Sequence, residues 1–316
     1  MEVKKVYIDC NYADQKKDIL DELHKNNYHV IPTENSLLCD LYVAFDKIDK
    51  LLLDSLSDHV LKVLVRLEPK VVVRETYIKS REKKFNQIID VGKKVMGQTS
   101  VINWPQNMNL NIELVNNKCE KIVMINSNLL SLYRGENYSL RRQVALEIND
   151  LDLYGYKWNN KLKAKILTLI KELKKYRFQI HNIRFSGLKN YFKVFDNYSG
   201  EVKDKREILS KYKYSLVIEN SSDYMSEKIF DAILSGCIPV YVGANLQNYE
   251  IPSNLYLQAN SNLSDIKEKI ACAKAIDYDD WVNRVKVWST DPDTYNSWSS
   301  DLFVSKIFRN ISNLYQ

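Results

Sequence analysis

Residues 212–243 have the sequence YKYSLVIENSSDYMSEKIFDAILSGCIPVYVG, which predicts a strand, a loop, a helix and a second strand. The β-branched and aromatic residues at each end are typical of buried strands. Residues 220–223 are turn formers, Ser226 is the expected helix N-cap, and Gly236 is a typical helix terminator. A strand, helix and strand in this order form the repeating unit of α/β proteins with parallel sheets.

Polar side chains of this segment gather where the first strand ends and the helix begins. They are Glu219, Asn220, Tyr224, Glu227 and Lys228. In open α/β sheets, ligands bind at the carboxyl ends of the strands. The helix N-terminus adds free N–H groups and a partial positive charge, and Lys228 adds a full one. The segment therefore predicts an anion site that suits a diphosphate.

Composition limits the classes of protein to consider. The chain has 316 residues, enough for two domains, and is 45% hydrophobic, so it can bury a sizeable core. Its net charge of +6 is spread along the chain without long arginine runs. That distribution argues against nucleic-acid binding as the main role and suits an anionic substrate or a membrane surface.

Cysteines and the N-terminal residues indicate the compartment. The five cysteines are odd in number and widely spaced, as expected of reduced core residues in a cytoplasmic protein. No C-x-x-C motif points to zinc. The apolar run in MEVKKVYIDC is too short for a signal sequence, and no apolar stretch approaches the roughly 20 residues that span a bilayer. We therefore expect a cytoplasmic location.

Predicted strands and helices alternate in two series along the chain, which favours parallel sheets with helices on both faces. The first series has strands near residues 3–8, 37–45, 62–67 and 87–91, and helices near 14–23, 51–60 and 79–85. The second starts with a strand at 121–127. We predict two Rossmann-like domains, residues 1–116 and 117–280. A helical tail, residues 281–316, is expected to pack back on the N-terminal domain.

The order of residues in 212–243 resembles the donor-binding motif of the α-1,3/4-fucosyltransferase family. The shared positions are Glu219-Asn220-Ser221, Tyr224, Ser226-Glu227-Lys228-Ile229, Asp231-Ala232, Gly236, Pro239-Val240-Tyr241 and Gly243. The chain departs from the family in a shorter loop between Asn220 and Tyr224 and in Asp223, where glycine is usual. The resemblance extends from about Glu68 to about Asp265, and it implies the GT-B fold, in which two Rossmann-like domains face a cleft.

The resemblance also implies an activity. It implies a bacterial-type, inverting and metal-independent glycosyltransferase, with no cofactor beyond its donor. Such an enzyme moves L-fucose from GDP-β-L-fucose to a hydroxyl of an oligosaccharide acceptor, in α-1,3 linkage to a GlcNAc-type or related sugar. Two alternatives remain open: the same fold with another GDP-deoxysugar donor, and a non-catalytic protein that binds glycans or a membrane.

Residue roles follow from the same resemblance. Lys228 and Arg141 would hold the diphosphate, because an enzyme without a metal needs fixed cations to stabilise the departing charge. Arg141 lies in LRRQVALEI, between Ser127-Asn128 and the D-x-Y-G sequence at residues 152–155. Its neighbour Arg142 is the other arginine that could occupy this position of the motif. An exposed helix face is the alternative for Arg141.

The donor's remaining contacts come from the segment already described. The resemblance assigns the ribose to Glu227 and the donor pocket to Asn220 and Tyr224, with Glu219 and Ser226 beside them. For Glu227 the alternative is compensation of the positive charge at the helix N-terminus.

Glu68 is the candidate general base. It follows the predicted strand KVLVRL and precedes Pro69, so it lies at the carboxyl end of an N-terminal-domain strand. Inverting transfer needs a carboxylate that accepts the proton of the acceptor hydroxyl. The resemblance assigns this role to Glu68, although Arg74 stands where the family commonly has proline. A helix N-cap is the alternative.

Metal ligation is not predicted. Two D-x-D sequences, at residues 150–152 and 291–293, have the spacing of metal-dependent glycosyltransferases. The first overlaps a strand of the family pattern, and the second lies in a turn-like tail. The four histidines show neither metal spacing nor a catalytic partner.

Residues 158–177 predict a basic amphipathic helix with seven cations from Lys161 to Arg177. Its apolar positions are Leu162, Ile166, Leu169, Ile170 and Leu173. Such a helix suits peripheral contact with the inner face of a membrane, where a lipid-linked acceptor would be found. The alternative is a core-facing helix with a solvated lysine face.

Overall fold

The computed structural model describes residues 4–10, 20–21, 23–25, 28–92, 102–109, 118–175 and 183–312. These residues form two compact units: one from the described parts of 1–107 and 295–316, the other from those of 108–294. The sequence placed the changes between domains at residues 116 and 280. Helix 278–290 belongs to the second unit because Trp281 is fully buried there and donates its indole N–H to the Leu255 carbonyl at 3.1 Å.

Eleven strands are described. They are β1 (Lys4–Cys10), β2 (Tyr28–Val30), β3 (Leu41–Phe45), β4 (Leu61–Arg66), β5 (Gln87–Asp90), β6 (Cys119–Ile125), β7 (Leu151–Tyr154), β8 (Tyr198–Gly200), β9 (Tyr212–Ile218), β10 (Ile238–Val242) and β11 (Leu257–Gln258).

The α-helices assigned in the described residues are α1 (Lys50–Ser55), α2 (Lys79–Glu82), α3 (Tyr138–Glu147), α4 (Leu162–Lys175), α5 (Lys205–Leu209), α6 (Lys228–Leu234), α7 (Leu263–Lys274), α8 (Tyr278–Thr290), α9 (Pro292–Ser297) and α10 (Ser300–Ser312). Residues 20, 21 and 23–25 are also helical. The rest of the helix predicted at 14–23 lies outside the described residues.

In the first unit, β1 to β5 form a parallel sheet in the order β2-β1-β3-β4-β5. Strand β3 is buried on both faces, because its side chains alternate between two apolar clusters. Leu41, Val43 and Phe45 pack with Phe303 and other residues of α10. On the other face, Tyr42 and Ala44 pack with Leu52 and Leu53 of α1.

In the second unit, β6 to β11 form a parallel sheet in the order β11-β10-β9-β6-β7-β8. This is the Rossmann strand order, and the direction of winding reverses between β6 and β9. Every residue of β10 is buried, as the apolar sequence IPVYV requires. The two parallel α/β units confirm the predicted fold class.

The reversal of winding sets the place of the candidate site. At this switch point the connections after β6 and β9 leave toward opposite faces of the sheet and open a crevice between them. Asn126 follows β6 directly, and Glu219 follows β9 directly. Both are buried. The polar residues that the sequence grouped after the first strand of 212–243 therefore lie at the carboxyl edge of the sheet, beside the end of β6.

Candidate active site

Glu219 organises the loop between β9 and α6. Its side chain is fully buried, and its carboxylate accepts hydrogen bonds from the backbone N–H and the hydroxyl of Ser226, all at 2.9 Å. The Lys228 ammonium is 3.2 Å from the second carboxylate oxygen. A buried carboxylate with this many donors is well compensated. Glu219 therefore fixes the loop and holds the Lys228 side chain in place.

Lys228 keeps capacity for another partner. Its ammonium also donates to the Ser226 hydroxyl at 2.8 Å, and its side chain is 19% exposed. An ammonium group has three donors, and the two bonds to Glu219 and Ser226 leave one. The Lys228 side chain lines a small cavity together with Asn126, Lys205 and Asp231. This arrangement can bind an anion.

Ser226 is not the N-cap that the sequence predicted. The helix α6 begins at Lys228, and its N-cap residue is Glu227, which makes no side-chain capping bond. The Ser226 hydroxyl is occupied by Glu219 and Lys228 instead, with the Lys228 N–H at a marginal 3.5 Å. Since α6 has seven residues, the positive character of the site comes from lysine side chains more than from the helix.

Lys205 is a cation of the site that sequence reasoning missed. Its ammonium lies 2.7 Å from a carboxylate oxygen of Glu227 and 3.9 Å from one of Asp231. Desolvation raises the pKa of Glu227, but the charges of Lys228 and Lys205 outweigh it and lower that pKa to about 2. Lys205 lies on α5, so only the packing of α5 against α6 could reveal it.

Arg141 lies behind the loop, fully enclosed by protein. Its guanidinium donates twice to the Ile218 carbonyl, at 3.1 and 2.6 Å, and once to the Asn220 side-chain oxygen at 3.0 Å. Burial lowers the pKa of the guanidinium, and the Tyr138 and Glu219 side chains partly offset this. The predicted contact of Arg141 with a diphosphate stays a prediction, and the exposed-face alternative is wrong.

Arg142, the competing arginine, braces different loops. It is buried and donates to the carbonyls of Leu129 and Lys189 at 2.8 and 2.9 Å, and to that of Gly187. Burial lowers its pKa to about 10. The two neighbouring arginines of α3 therefore serve different sides of the helix, and Arg141 is the one that reaches the end of β9.

The loop 220–224 is tied at both ends. The Asn220 carbonyl accepts from the Asn137 N–H at 3.0 Å, and the Tyr224 carbonyl accepts from the Ala244 N–H at 3.0 Å. Asp223, the unexpected acidic residue, accepts from the Ser221 hydroxyl at 2.7 Å. The pKa of Tyr249 is raised to about 12. Burial is the largest cause, and the negative charges of Asp223 and Glu219 add to it.

Gly243 shows how closely the strands of the motif approach each other. A Cβ atom at this position would lie 2.3 Å from the Tyr241 hydroxyl and 2.7 Å from Cγ of Glu219. Side-chain contacts this short do not occur without movement of one partner. The glycine of the family motif is therefore required here for packing around the Glu219 carboxylate.

Three buried asparagines at the same edge have unsatisfied amide atoms. They are the side-chain oxygen of Asn126 and the side-chain nitrogens of Asn128 and Asn137. Buried polar atoms without a partner are rare and often mark a place where a ligand or water completes the bonding. Asn126 also lines the cavity with Lys228. The polar run N-S-N directly after a buried strand was the signal that could have identified it.

Glu68 follows β4 in the first unit, two residues past its last residue, Arg66. Its backbone N–H donates to the Asp46 carboxylate at 2.9 Å, and its carbonyl accepts from the Tyr77 hydroxyl at 3.0 Å. The Leu67 N–H binds the same carboxylate at 3.0 Å. These bonds fix the backbone at the carboxyl end of β4, where the sequence placed Glu68. Its role as a base stays a prediction.

The D-x-D sequences have structural partners. Asp152 accepts from the Tyr212 hydroxyl at 2.9 Å and pairs with Lys121, and Asp291 accepts from the Thr294 hydroxyl at 2.8 Å. Within the described residues, no group of three or more histidine, cysteine or carboxylate side chains is placed to hold a metal ion.

The fold and the site together define a class. Two parallel α/β units are typical of GT-B glycosyltransferases, and the second unit carries a candidate anion site at its switch point. A solved α1,3-fucosyltransferase structure aligns with 96% of this chain and 88% of its own, with a TM-score of 0.54 and 14% identity. That likeness shows the fold.

The family follows from the sequence matches. The family model for glycosyltransferase family 10 (fucosyltransferase) C-term matches residues 152–299. Residues 152–299 therefore resemble this family, and the recognition made from residues 212–243 is confirmed. The matched range includes Lys205, Glu219 and Lys228.

Named relatives are similar over shorter stretches. A fucosyltransferase-like protein of Arabidopsis thaliana is 33% identical over 103 residues, 32% of this chain and 17% of the relative. The 4-galactosyl-N-acetylglucosaminide 3-alpha-L-fucosyltransferase 9 of Mus musculus is 31% identical over 121 residues, 36% of this chain and 30% of the relative. The chain thus spans less than a third of each relative's length in these matches.

Proposed function

We propose that this protein transfers L-fucose from GDP-β-L-fucose to a hydroxyl of an oligosaccharide acceptor, with inversion and in α-1,3 linkage to a GlcNAc-type sugar. The observation that carries the proposal is Lys228. It lies at the switch point of the second sheet, is held by the buried Glu219, and keeps one N–H donor for an anion. It also lies within the residues that match the fucosyltransferase family.

The proposed reaction gives Glu68 the role of base and Lys228 the role of stabilising the leaving group. The acceptor oxygen attacks C1 of fucose, Glu68 accepts its proton, and the bond between C1 and the phosphate oxygen breaks to release GDP. Lys228, supported by Lys205, stabilises the charge that develops on the leaving diphosphate. Arg141 adds a positive charge at the end of β9, where its acceptors are a carbonyl and an amide oxygen without full negative charge.

The remaining donor contacts belong to the same proposal. Glu227 binds the ribose hydroxyls through a carboxylate that is 47% exposed. Asn220 and Tyr224 line the donor pocket from a loop whose backbone is fixed at both ends. Metal-independent catalysis and a cytoplasmic location are parts of the proposal as well. Treatment with EDTA should leave transfer from GDP-fucose intact, and activity that returns only with Mn²⁺ would contradict the metal-free account.

The central experiment measures GDP binding by calorimetry. Lys228→Ala should weaken binding at least about tenfold, because it removes a charged hydrogen-bond donor. Lys211→Ala is the matched control, since Lys211 is an exposed lysine of the same unit that pairs with Glu207 on the surface. Equal affinity in the Lys228 variant would remove the basis of the proposal. Absence of GDP binding in the unmodified chain would favour a non-catalytic glycan- or membrane-binding protein.

A second donor remains a specific alternative because of the loop 220–224. Asp223, held by Ser221, places a carboxylate in this loop where the family usually has glycine. A carboxylate there could select a different GDP-linked deoxysugar through its hydroxyl groups. Donor hydrolysis across a panel of nucleotide sugars distinguishes the two, and restoration of fucose preference by Asp223→Gly would identify the residue responsible.

A further inference from the structure

Helix α4 presents its apolar side to solvent. Four large apolar residues spaced along one stripe of the helix are between 41% and 62% exposed: Leu162, Ile166, Ile170 and Leu173. Leu167 is 50% exposed beside them. The sequence left open whether these residues face a core. In the structure only Leu169 of the predicted apolar set is partly buried, against Leu130, Leu132 and Tyr191.

Polar contacts fix this orientation. The side of α4 that packs on the protein carries Lys165 and Glu172, both buried. The Lys165 ammonium donates to the Lys193 carbonyl at 3.2 Å, and the Glu172 carboxylate accepts from the Leu132 N–H at 3.3 Å. If α4 were rotated to bury the apolar stripe, Lys165 and Glu172 would lose these hydrogen-bond partners and their buried positions. The outward stripe is therefore built into the packing of α4.

The charges around the stripe are positive. Lys163, Lys171 and Lys174 are exposed on α4, and Lys161 is exposed directly before it. At 100° per residue, Lys163 and Lys174 border the stripe on its solvent side. The single carboxylate of α4, Glu172, faces the protein. Lysines at the border of an apolar surface can extend their ammonium groups to phosphate head groups while their stems stay in apolar contact.

The apolar surface continues beyond the helix. Phe192 and Val194 are exposed on either side of Lys193, the residue whose carbonyl binds Lys165. Of the fourteen large apolar side chains found exposed in the described residues, nine lie between residues 156 and 194. A concentration of this kind marks a binding surface rather than scattered surface residues. No helix in the described residues is long and apolar enough to cross a bilayer.

We propose that the outer face of α4, with Phe192 and Val194 beside it, binds the surface of an anionic phospholipid bilayer. The apolar stripe enters the boundary between head groups and acyl chains, and the bordering lysines contact lipid phosphates. The charge pattern selects an anionic lipid surface over a second copy of this chain, because two like-charged faces would repel each other. Lipid binding requires neither GDP nor an acceptor, so it is separable from the proposed transfer.

Flotation with vesicles of phosphatidylcholine alone or mixed with phosphatidylglycerol tests this surface. The full chain should bind the mixed vesicles and bind those of phosphatidylcholine at least about tenfold more weakly. The double variant Ile166→Glu/Ile170→Glu should lose at least about tenfold in binding to the mixed vesicles. Val287→Glu is the matched control, because Val287 is an exposed apolar residue on α8 of the same unit.

Retained GDP affinity and an unchanged melting curve in each variant show that the fold persists. Equal vesicle binding by the unmodified chain and the α4 variant would overturn the proposal. So would equal loss in the Val287 variant, or failure of the unmodified chain to bind either vesicle. A concentration-dependent dimer that the α4 variant dissolves, without vesicle binding, would assign the surface to a second copy and also overturn it.

Discussion

At the carboxyl edge of each sheet, a buried carboxylate pairs with a lysine, and the two pairs differ in how exposed the lysine is. In the second unit the buried carboxylate is Glu219, and its cation, Lys228, is 19% exposed. In the first unit the buried carboxylate is Asp9. The Lys47 ammonium lies 2.9 Å from it, and the Lys47 side chain is 50% exposed. Asp9 also accepts from the Asp49 N–H at 2.9 Å. Each carboxylate fixes the loop that follows a parallel strand.

The difference lies in what surrounds each carboxylate. Around Glu219 the further charged groups include the cations Lys205 and Arg141. Near β4 of the first unit, the Asp46 carboxylate accepts hydrogen bonds from the backbone N–H groups of Leu67 and Glu68. We propose an anion site at the edge of the second sheet and a general base, Glu68, at the edge of the first. Fold alone does not distinguish them, because both edges belong to parallel α/β sheets.

The largest expected effect separates the two edges by function. Glu68→Gln should lower kcat by about 10² to 10⁴ while GDP affinity is unchanged, because a general base contributes to the transition state and not to donor binding. Transfer kinetics and GDP calorimetry check this. Glu75→Gln, an exposed carboxylate of the same unit, is the control. A Glu68 variant with full activity would show that the first edge supplies no base.

The next effect compares the two buried carboxylates directly. Glu219→Gln should lower the free energy of unfolding by about 3 kcal/mol, since it leaves Lys228 without its charge partner in a largely enclosed place. Asp9→Asn should cost about 1 kcal/mol, because Lys47 can return to water. Urea unfolding measures both, and hydrogen exchange assigns each loss to a sheet. A larger loss of unfolding free energy in the Asp9 variant than in the Glu219 variant would mean that exposure of the paired lysine does not govern this loss.

Arg141 and Arg142 test whether the donor edge depends on one arginine. Arg141→Lys should weaken GDP binding about tenfold, because lysine cannot reproduce the fork that holds Ile218 and Asn220. Arg142→Lys should leave GDP affinity within about twofold while lowering stability, because its partners are the carbonyls of other loops. Calorimetry and urea unfolding check both. Equal losses of affinity would assign Arg141 to packing alone.

The smallest effect concerns pH. The pKa of Glu227 is depressed to about 2 in the folded protein, below its ordinary value. A depressed carboxyl pKa contributes stability above the ordinary pKa, and that contribution is lost as pH falls from about 4.5 to 2. Glu227→Gln should flatten the decline of the melting temperature across this window. The change is small because the carboxylate is 47% exposed and solvent screens it. An unchanged dependence of the melting temperature on pH in the Glu227 variant would contradict this prediction.

Local sequence determined much of the second unit. The strands at 212–218 and 238–242, the termination near Gly236 and the gathering of Glu219, Asn220 and Lys228 at one edge follow from composition, turn residues and strand order. Order of motif residues also identified the family. These features depend on neighbours in the chain, which is why they could be predicted.

Other parts of the site required the tertiary structure. Lys205 precedes Glu227 by 22 residues, and only the packing of α5 on α6 brings them together. Ser226 looked like an N-cap because its residue type allows one, but the buried Glu219 competes for its hydroxyl. The assignment of helices 278–290 and 300–312 to different units also depends on which core their apolar faces contact.

The amphipathic pattern of residues 162–175 shows the same division. Sequence determined that a helix with one apolar and one basic side forms here, because side chains repeat with the helical period. It did not determine which side faces the protein. Tertiary structure decided this through the buried Lys165 and Glu172, whose partners lie on segments distant in the chain. Periodicity is a local property of a helix, whereas its orientation depends on contacts made elsewhere in the fold.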